Sequence, residues 1–479
     1  MTGSITGAAT TYIDGRWRDP ARLVEVLNPA DSSPVGAIGY GGAPEAVRAA
    51  DAAAAAFAAW SARPARERAD LLRAVADDLV SRADEIGAVL ARESGKRLPE
   101  ASGEVRFAAE YFRWFGEQAR RPTGEAIPGE ASGRRHQVSH RAAGVAVCLT
   151  PWNFPVSIQA RKLAAALAAG CTTVSRASEK APLAVVELFR CLDRAGVPAG
   201  VANLVHGPAA EITESLLAHP AVRVVSFTGS TEVGRRIMEL AARRIVRPAL
   251  ELGGDAPFIV FDDADVDAAV NGALVAKFRN NGQSCIAANR FLVQDGVYDA
   301  FTGKLASAVD AMSIGDPLAD PVPDLGPLID AGRVRAVGDL VGEAIRAGAR
   351  RLTREFTVPD KGSYTAPVLL ADVPRDTAIA RTEVFGPAAA VLRFSQADEA
   401  IALANDTEMG LAAYCYTTDL RRADLVASRL EAGIIGVNDP LPSAVFAPMG
   451  GVKQSGLGRE GGWEGLAEFQ HTHYTATMA

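Results

Sequence analysis

The feature that most constrains the fold is a regular alternation of apolar and helical segments that begins at residue 143. Three apolar segments, "GVAVCLT", "CTTVSRAS" and "VRVVSFTGS", are each followed by a turn and a helical segment, the first of which ends at Gly170. Strands joined by crossover helices lie parallel in one sheet, with the helices packed on its faces. The alternation therefore predicts an α/β fold built on a parallel sheet.

The length of the chain requires more than one structural unit. A chain of 479 residues exceeds the size of a single hydrophobic core, so two or three units are expected. A second series of strand candidates, "NRFLVQ", "AAAVLRF" and "GIIGVND", follows "LELGG" and places a boundary near Leu250. Residues 67–93 have a helical pattern that puts Leu71, Val75 and Leu79 on one buried face.

Two further segments do not fit the main alternation. Residues 120–142 are polar and Gly-rich, which predicts a protruding hairpin or a linker. The final segment ends in "HTHYTATMA", an alternating pattern typical of a strand that leaves the body to pair elsewhere.

Charge and cysteine content exclude several classes of function. The net charge is -7 and no Lys/Arg block is present, so neither a nucleic-acid nor a membrane partner is expected. No secretion signal precedes the first helical segment, and the five cysteines are odd in number and scattered, which indicates a reducing cytoplasm. No CxxC pair or His/Cys cluster predicts a metal site.

The segment "KFRNNGQSCIAAN" surrounds Cys285 with small polar residues. A thiolate is nucleophilic, and its pKa falls near positive charge, which Arg279 could supply across the turn. The alternative is a free cysteine buried as a small hydrophobe, with Arg279 at a helix C-terminus. Both interpretations are open at this point.

A catalytic cysteine would need two partners. Asn153, in the Pro-bounded turn "PWNFP", is a candidate donor to an oxyanion; the alternative is a turn asparagine that caps the next helix. Glu251 in "LELGG" is a candidate base whose pKa burial would raise; the alternative is a solvated glutamate at a strand end. No histidine is near Cys285 in the sequence, so a Cys–His hydrolase is possible but unsupported.

Two glycine motifs compete as dinucleotide sites. "GLGREG" (456–461) matches GxGxxG, but a loop precedes it where the fingerprint requires a strand, so we reject it. "VVSFTGSTEVGRRI" (224–237) has a strand, a turn and a helix, whose N-terminus and Ser230 could bind a pyrophosphate. The alternative is an ordinary βα loop with a capping serine.

Six segments together resemble the aldehyde dehydrogenase superfamily over essentially the full chain. They occur in the family's order: "TPWNFP", "FTGSTEVG", "LELGG", "NNGQSC", "EVFGP" and "GGVKQSGLGREG". The resemblance implies that Cys285 attacks an aldehyde and that Asn153, with the Cys285 N–H, holds the oxyanion. Hydride transfer to a nicotinamide then leaves a thioester, which water activated by Glu251 hydrolyses.

The resemblance also implies a cofactor site and a domain plan. Gly229 and Ser230 would hold the pyrophosphate, and Trp152, Glu383 and Phe385 the nicotinamide end. Glu179 would bind the adenosine ribose and favour NAD, whereas Arg176 favours the phosphate of NADP. The family plan assigns 1–122 and 143–250 to a Rossmann-like NAD-binding domain, 251–455 to an α/β catalytic domain, and 123–142 with 456–479 to a β-flap that forms a homodimer or homotetramer.

Among aldehyde dehydrogenases, the chain is most similar to the group that oxidises succinate semialdehyde. In that group the residues at Arg161, Arg279 and Ser443 hold the substrate's carboxylate. The late loop "NDPLPSAVFAP" is also similar to enzymes that act on 2-oxoglutarate semialdehyde or related aldehydes such as glutarate semialdehyde, our alternative. Ala287, Met449 and the pair Arg176-Ala177 depart from the family pattern. A non-catalytic relative, or a thiol hydrolase or CoA-dependent acyl transferase, are more remote alternatives.

Overall fold

The computed structural model describes residues 9–121 and 123–478. Within these residues the strands are, in chain order, β1 (Tyr12–Ile13), β2 (Arg16–Trp17), β3 (Leu23–Leu27), β4 (Pro34–Gly39), β5 (Glu125–Ile127), β6 (Arg134–Ala142), β7 (Val145–Thr150), β8 (Thr172–Ala177), β9 (Ala202–Val205), β10 (Val222–Thr228), β11 (Arg247–Glu251), β12 (Ala256–Val260), β13 (Ala288–Gln294), β14 (Arg350–Arg351), β15 (Val368–Ala371), β16 (Ala388–Phe394), β17 (Ala412–Tyr416), β18 (Ile434–Val437), β19 (Gly456–Leu457) and β20 (Gln470–Met478).

The α-helices of the described residues are, in chain order, α1 (Ala43–Ser61), α2 (Ala65–Ser81), α3 (Ala83–Ser94), α4 (Leu98–Ala119), α5 (Pro155–Ala169), α6 (Leu183–Arg194), α7 (Ala209–Ala218), α8 (Thr231–Ala242), α9 (Val266–Phe278), α10 (Tyr298–Asp310), α11 (Ala331–Arg346), α12 (Ala397–Asn405), α13 (Leu420–Arg429) and α14 (Glu464–Ala467).

Two large sheets carry the fold. The first has the order β19-β11-β10-β7-β8-β9-β1-β2 and the second β14-β15-β16-β13-β12-β17-β18. Strands β11, β10, β7, β8 and β9 pair with one another in parallel, as do β15, β16, β13, β12, β17 and β18, whereas the outer strands β19, β1 and β14 join them antiparallel. The predicted α/β class with parallel sheets is confirmed.

The chain passes from the first sheet to the second between Glu251 and Ala256, next to the boundary predicted near Leu250. The assignment of cofactor binding to the first unit and catalysis to the second stays a prediction.

A three-stranded antiparallel sheet, β20-β6-β5, stands apart from both large sheets, and we call it the flap. Strand β20 pairs with β6 from Gln470↔Ala142 to Met478↔Arg134, so the predicted hairpin and the predicted outlying strand pair with each other. The earlier part of the segment 456–479 lies elsewhere, because β19 pairs with β11 of the first sheet. The role of the flap in oligomerisation stays a prediction.

Local signals explain where the site-bearing helices begin and end. Pro155 occupies the first turn of α5, where its missing N–H costs no hydrogen bond, and Gly170 ends the helix in the left-handed conformation with φ 94°. All of α5 is buried, as expected for an apolar helix, yet it carries Arg161 and Lys162. Buried charges require partners, so these two residues direct attention to the surroundings of α5.

The helical pattern over residues 67–93 is confirmed, but it belongs to two helices, α2 and α3, that meet at Arg82. The predicted buried face is partly wrong. Leu72, Val75 and Leu79 are fully buried, whereas Leu71 is only partly buried at the margin of the core. A strict four-residue spacing places Leu71 on the buried face, but a helix repeats every 3.6 residues, so the face shifts to Leu72.

Within the described part of the chain, no helix combines the length and the apolar composition needed to cross a membrane. Among the same residues, no group of three or more His, Cys, Asp or Glu side chains could hold a metal ion.

Two helical glycines give a matched test of the packing of helices on the second sheet. A Cβ at Gly272 of α9 would lie 1.9 Å from the Tyr416 hydroxyl, whereas a Cβ at Gly303 of α10 would meet no atom within 4 Å. We expect Gly272→Ala to lower the free energy of unfolding by about 1–3 kcal/mol through overpacking. Gly303→Ala should raise it by about 0.5–1 kcal/mol because alanine favours a helix. Chemical denaturation of both variants checks this, and equal effects would contradict the packing.

Candidate active site

The predicted site residues lie where the strand ends of one large sheet face the strand ends of the other. Asn153 follows the carboxyl end of β7 and Glu251 ends β11, whereas Cys285 precedes the amino end of β13 and Phe385 that of β16. Two contacts join the edges. Asn153 Nδ2 donates to the Gln283 carbonyl at 3.2 Å, and the Trp152 and Phe385 rings pack edge to face with centroids 5.4 Å apart. Residues separated by more than two hundred positions therefore share one site.

The loop before Cys285 owes its shape to three successive left-handed residues. Asn280, Asn281 and Gly282 have φ of 53°, 58° and 76°. Asparagine and glycine tolerate this conformation better than other residues, which explains the sequence "NNG". A Cβ at Gly282 would lie 2.3 Å from the Gly386 carbonyl oxygen, so glycine also permits contact with the "EVFGP" segment. The predicted sharp turn is confirmed.

Side-chain amides hold this loop in place. Asn281 Nδ2 donates to the carbonyls of Gly95 and Pro327 at 3.2 and 3.0 Å, and its Oδ1 accepts from Gly326 N at 2.8 Å. Asn280 Nδ2 donates to the Asn153 carbonyl at 2.9 Å. The backbone before Cys285 is therefore fixed from both sides.

Cys285 opens into a cavity of about 380 Å³, which we call the tunnel. Its wall includes Arg161, Arg279 and Ser443, the three residues that the resemblance associates with a substrate carboxylate. The tunnel also includes Met449, at the position where the family pattern has a phenylalanine. Cys285 is partly exposed there, whereas the other four cysteines are buried.

The surroundings of Cys285 disfavour its ionised form, the thiolate. Burial, and then the carboxyl groups of Glu383 and Glu251, raise the pKa of Cys285 to about 12, against the opposing charge of Arg161. The sequence suggested Arg279 as the cation near the thiol, but the guanidinium that acts on it is that of Arg161. Arg279 instead lies 5.3 Å from the centre of the Phe154 ring.

Glu251 is buried, as predicted, and is not a solvated residue at a strand end. Only 2% of it is exposed, and neither carboxyl oxygen has a hydrogen-bond partner among the described residues. Burial raises the pKa of this carboxyl, and the charge of Glu460 raises it further, while Arg161 and Lys162 act in the opposite direction. A carboxyl in this state can exchange a proton near neutral pH.

Asn153 keeps one amide hydrogen available. Its Nδ2 carries two hydrogens, and one is donated to the Gln283 carbonyl, two residues before the thiol. Its own carbonyl accepts from Lys96 Nζ at 2.9 Å. The hydrogen bond to Gln283 orients the amide, and the bond from Lys96 fixes the backbone carbonyl of the same residue. This favours the oxyanion role over that of a helix cap, since the cap position of α5 carries no side-chain hydrogen bond.

Two buried ion-pair clusters near the site were missed from the sequence. Glu460 binds both charges of α5: its Oε2 lies 2.6 Å from Arg161 Nε and its Oε1 accepts from Lys162. Lys96 pairs with Glu104, whose Oε1 accepts from the N–H groups of Val156 and Ser157 at 3.0 and 3.1 Å. The only available signal was charge inside otherwise apolar segments, and Glu460 belongs to the rejected "GLGREG" motif.

Arg279 differs from Arg161 in its pairing. Among the described residues, no carboxylate lies within ion-pair distance of Arg279, whereas Arg161 is paired with Glu460. Arg279 is therefore a cation of the tunnel whose charge is not balanced by a carboxylate among the described residues.

The rejected and the favoured glycine motifs separate as predicted. "GLGREG" begins in the short antiparallel strand β19 and does not open a long helix. "FTGSTEVG" connects parallel strand β10 to α8, and Ser230 Oγ caps α8 by accepting from Val233 N at 3.4 Å. Capping leaves the hydroxyl hydrogen of exposed Ser230 free to donate.

The surrounding groups fit a dinucleotide. Buried Arg176 donates to Glu179 and, at 3.0 Å, to the Gly207 carbonyl, but its Nε has no partner among the described residues. The N-terminus of α8 offers backbone N–H groups to a pyrophosphate. Glu383 Oε1 accepts from Gly254 N at 3.3 Å, and burial raises the pKa of Glu383 to about 7.

Comparison with known proteins decides the family. The sequence model described as "Aldehyde dehydrogenase family" matches residues 17–475. The chain belongs to the aldehyde dehydrogenase family.

Several members are similar over nearly their full length. The chain is 45% identical over 465 residues to the glutarate-semialdehyde dehydrogenase of Pseudomonas aeruginosa, covering 97% of this chain and 96% of the relative. It is 44% identical over 464 residues to the NADP(+) succinate-semialdehyde dehydrogenase of Escherichia coli, covering 96% of each. A crystal structure of succinate-semialdehyde dehydrogenase from Burkholderia pseudomallei superposes with a TM-score of 0.96 at 42% identity, covering 98% of both chains. The predicted family and its reaction class, NAD(P)-dependent aldehyde oxidation, are confirmed.

The raised pKa of Cys285 predicts that its thiol reacts slowly with alkylating reagents in the absence of cofactor. With a pKa of about 12, about one thiol in ten thousand is ionised at pH 8. We expect alkylation of Cys285 by iodoacetamide to accelerate about tenfold per pH unit from about pH 7 to pH 9, because only the thiolate reacts. Mass spectrometry of the Cys285 peptide measures the rate, and Cys285→Ser gives the background. A plateau below about pH 8 would show that the thiol is already ionised.

Proposed function

We propose that this aldehyde dehydrogenase oxidises an ω-carboxy aldehyde, succinate semialdehyde first, to the dicarboxylic acid. The observation that carries the proposal is Arg279, a cation without a carboxylate partner among the described residues, in the same tunnel as Cys285. A tunnel built for neutral aldehydes has no need of a cation there, because an unpaired charge costs free energy when it is withdrawn from water. A substrate carboxylate would restore the balance.

The tunnel residues divide the work of binding. Arg279 supplies the net charge that attracts the carboxylate, and a guanidinium can bind it through two parallel hydrogen bonds. The charge of Arg161 is already balanced by Glu460, so Arg161 orients the carboxylate through its N–H groups. Ser443 adds a hydroxyl donor on the late loop. This holds the aldehyde end of the substrate toward Cys285.

The chain's own groups then carry the covalent steps. The Cys285 thiol releases its proton to solvent in the tunnel and its sulfur bonds to the carbonyl carbon. The free N–H of Asn153, with the Cys285 backbone N–H, stabilises the oxygen that becomes negative. Glu251 accepts a proton from the water that later releases the acid from its thioester with Cys285. A bound nicotinamide dinucleotide supplies the two-electron oxidation between these steps.

Glutarate semialdehyde is the second candidate substrate. Support comes from the 45% identity to a relative named for that aldehyde and from a tunnel of about 380 Å³, which leaves room for one more methylene. A kinetic panel of succinate, glutarate and 2-oxoglutarate semialdehydes, with butanal as the neutral control, ranks the candidates by kcat/KM.

The Glu251→Gln substitution tests the base. An amide cannot accept the proton of the attacking water, so thioester hydrolysis should slow by about 10²–10⁴-fold while the first turnover is preserved. The expected signature is a stoichiometric burst of reduced cofactor in stopped-flow absorbance. In the native enzyme the burial-raised pKa of Glu251 means that hydrolysis should accelerate as pH rises through it, since only the carboxylate is basic.

A first turnover slowed as much as the steady state would show that Glu251 acts before the oxidation. Glu239→Gln makes the same substitution at an exposed position near the C-terminal end of α8, outside the site, and should leave both phases unchanged.

The tunnel arginines are tested by charge selectivity. We expect Arg279→Gln to raise KM for succinate semialdehyde by about tenfold or more, the effect of losing one charged hydrogen-bonding pair. Arg161→Gln should lower kcat as well, because its removal leaves Glu460 without one of its partners. In neither variant should the KM for butanal change by more than about twofold. Equal losses on the charged and the neutral aldehyde would mean that Arg279 is structural.

We propose NAD as the preferred cofactor. Glu179 accepts from Arg176, which occupies part of the guanidinium that a 2′-phosphate would need. Burial pushes the pKa of Glu179 upward, but the charge and hydrogen bond of Arg176, a backbone hydrogen bond and the charge of Lys180 together lower it by more, so the carboxylate is ionised and repels phosphate. Glu179→Gln should therefore raise kcat/KM with NADP relative to NAD by about tenfold. A native preference for NADP would contradict the proposal.

The remaining predictions concern the surroundings of the enzyme. The exposed flap, with β20 paired along β6, supports a homodimer or homotetramer. Sedimentation of the purified protein measures that state, and a cytoplasmic location stays a prediction.

A further inference from the structure

A second cavity, of about 720 Å³, lies at the base of the flap, away from the tunnel. The C-terminal ends of α1, α4 and α5 reach it from the body, and β6 and β20 reach it from the flap. We call it the basal cavity. None of the residues that line it also lines the tunnel.

The charges of the basal cavity are all of one sign. Its described lining includes Arg68, Arg121 and Arg141 together with His140 and His471, and it includes no Asp or Glu. The chain as a whole carries 57 acidic and 50 basic residues, so a lining of this kind is a local exception. A cavity lined by cations of one sign attracts anions and concentrates them.

The three guanidiniums have no carboxylate partner among the described residues. Arg68 donates through Nε to the Ala168 carbonyl at 3.3 Å and through a second nitrogen to the Arg63 carbonyl. Arg121 lies 5.8 Å from the centre of the Trp114 ring. Arg141 is exposed at the rim, on the strand that pairs with β20. Each of the three therefore retains N–H groups for a ligand.

Helix ends alone do not account for this much positive charge. Arginines are stabilised at helix C-termini, and the two carbonyl contacts of Arg68 are of that kind. A helix C-terminus carries about half a negative charge, so the three ends offset only about half of the charge of the three guanidiniums. A net positive field is left.

A buried amide adds a second, independent observation. Gln118, at the end of α4, is 3% exposed and lines the basal cavity, and its Nε2 has no hydrogen-bond partner among the described residues. Gln470, across the cavity on β20, likewise has an unpartnered Oε1. Buried amides without partners are costly, and a ligand or the water that it orders would satisfy them.

We propose that the basal cavity is a binding site for a small multivalent anion that carries at least two carboxylate or phosphate groups. Arg141 and Arg121 hold the anion from the flap side and the helix side, and Arg68 closes the inner wall. The bound anion braces the flap against α4 and α5, the same helices whose other ends line the tunnel. The proposal is independent of the substrate assigned to the tunnel.

Isothermal titration calorimetry on the full-length enzyme at constant ionic strength tests the site. Citrate represents polycarboxylates, inorganic pyrophosphate represents phosphates, and acetate is the monovalent control. We expect saturable binding of citrate or pyrophosphate and none of acetate, and the anion that binds more tightly identifies the class. Arg141→Gln should weaken that binding by about tenfold. Arg135→Gln removes the same charge from the same face of β6 but outside the cavity, and should change binding by less than twofold.

The tunnel must be excluded as the source of the heat. Arg279→Gln should leave anion binding at the basal cavity unchanged, and thermal melting verifies that each variant is folded. The proposal is overturned if the native enzyme binds neither anion. It is equally overturned if Arg279→Gln abolishes binding while Arg141→Gln does not, or if Arg135→Gln and Arg141→Gln weaken it alike.

Discussion

The withdrawal of one thiol and one carboxyl group from water is the constraint on which this enzyme's chemistry depends. Cys285 and Glu251 are each held in their neutral form by burial, and each would raise the energy of the other if both were ionised. When one of the two ionises, the single negative charge resides mainly on Glu251, because the pKa of Cys285 is raised to about 12 and stands well above that of Glu251. Arg161, which favours the ionised form of both groups, stabilises that charge wherever it resides. A positively charged cofactor ring near the thiol would shift the balance further toward thiolate.

The buried site is surrounded by other buried charges, and these are paired with one another. Helix α5 brings Arg161 and Lys162 into the interior, and Glu460 meets both of them, so that no charge of the cluster is left alone. Breaking such a pair costs about 3–5 kcal/mol because the remaining partner stays buried. The same pairing separates the two tunnel arginines into one that is balanced and one, Arg279, that is not. In the function proposed above, selectivity for a charged substrate follows from this imbalance and not from the number of arginines.

The sequence was sufficient wherever function depends on local pattern. The strand–turn–helix units, the turn before Cys285, the capping at Ser230 and the rejection of "GLGREG" could all be predicted, because each rests on residues within one short segment. Glu460, Lys96 and Glu104 could not, because their partners lie elsewhere: Lys162 is 298 positions from Glu460, and the Asn153 carbonyl is 57 positions from Lys96. The wrong cation for the thiol has the same cause, since Arg279 is the nearer in sequence and Arg161 is the one that acts on it in space.

The central claim is that the acyl group is carried on the sulfur of Cys285 before water releases it. The most direct measurement mixes the Glu251→Gln variant with cofactor and succinate semialdehyde, quenches in acid and maps the digested peptides by mass spectrometry. The account predicts one succinyl group per chain, on the peptide that contains Cys285. An unmodified Cys285 peptide alongside turnover, or an acyl group on Cys148 or another of the buried cysteines, would contradict it.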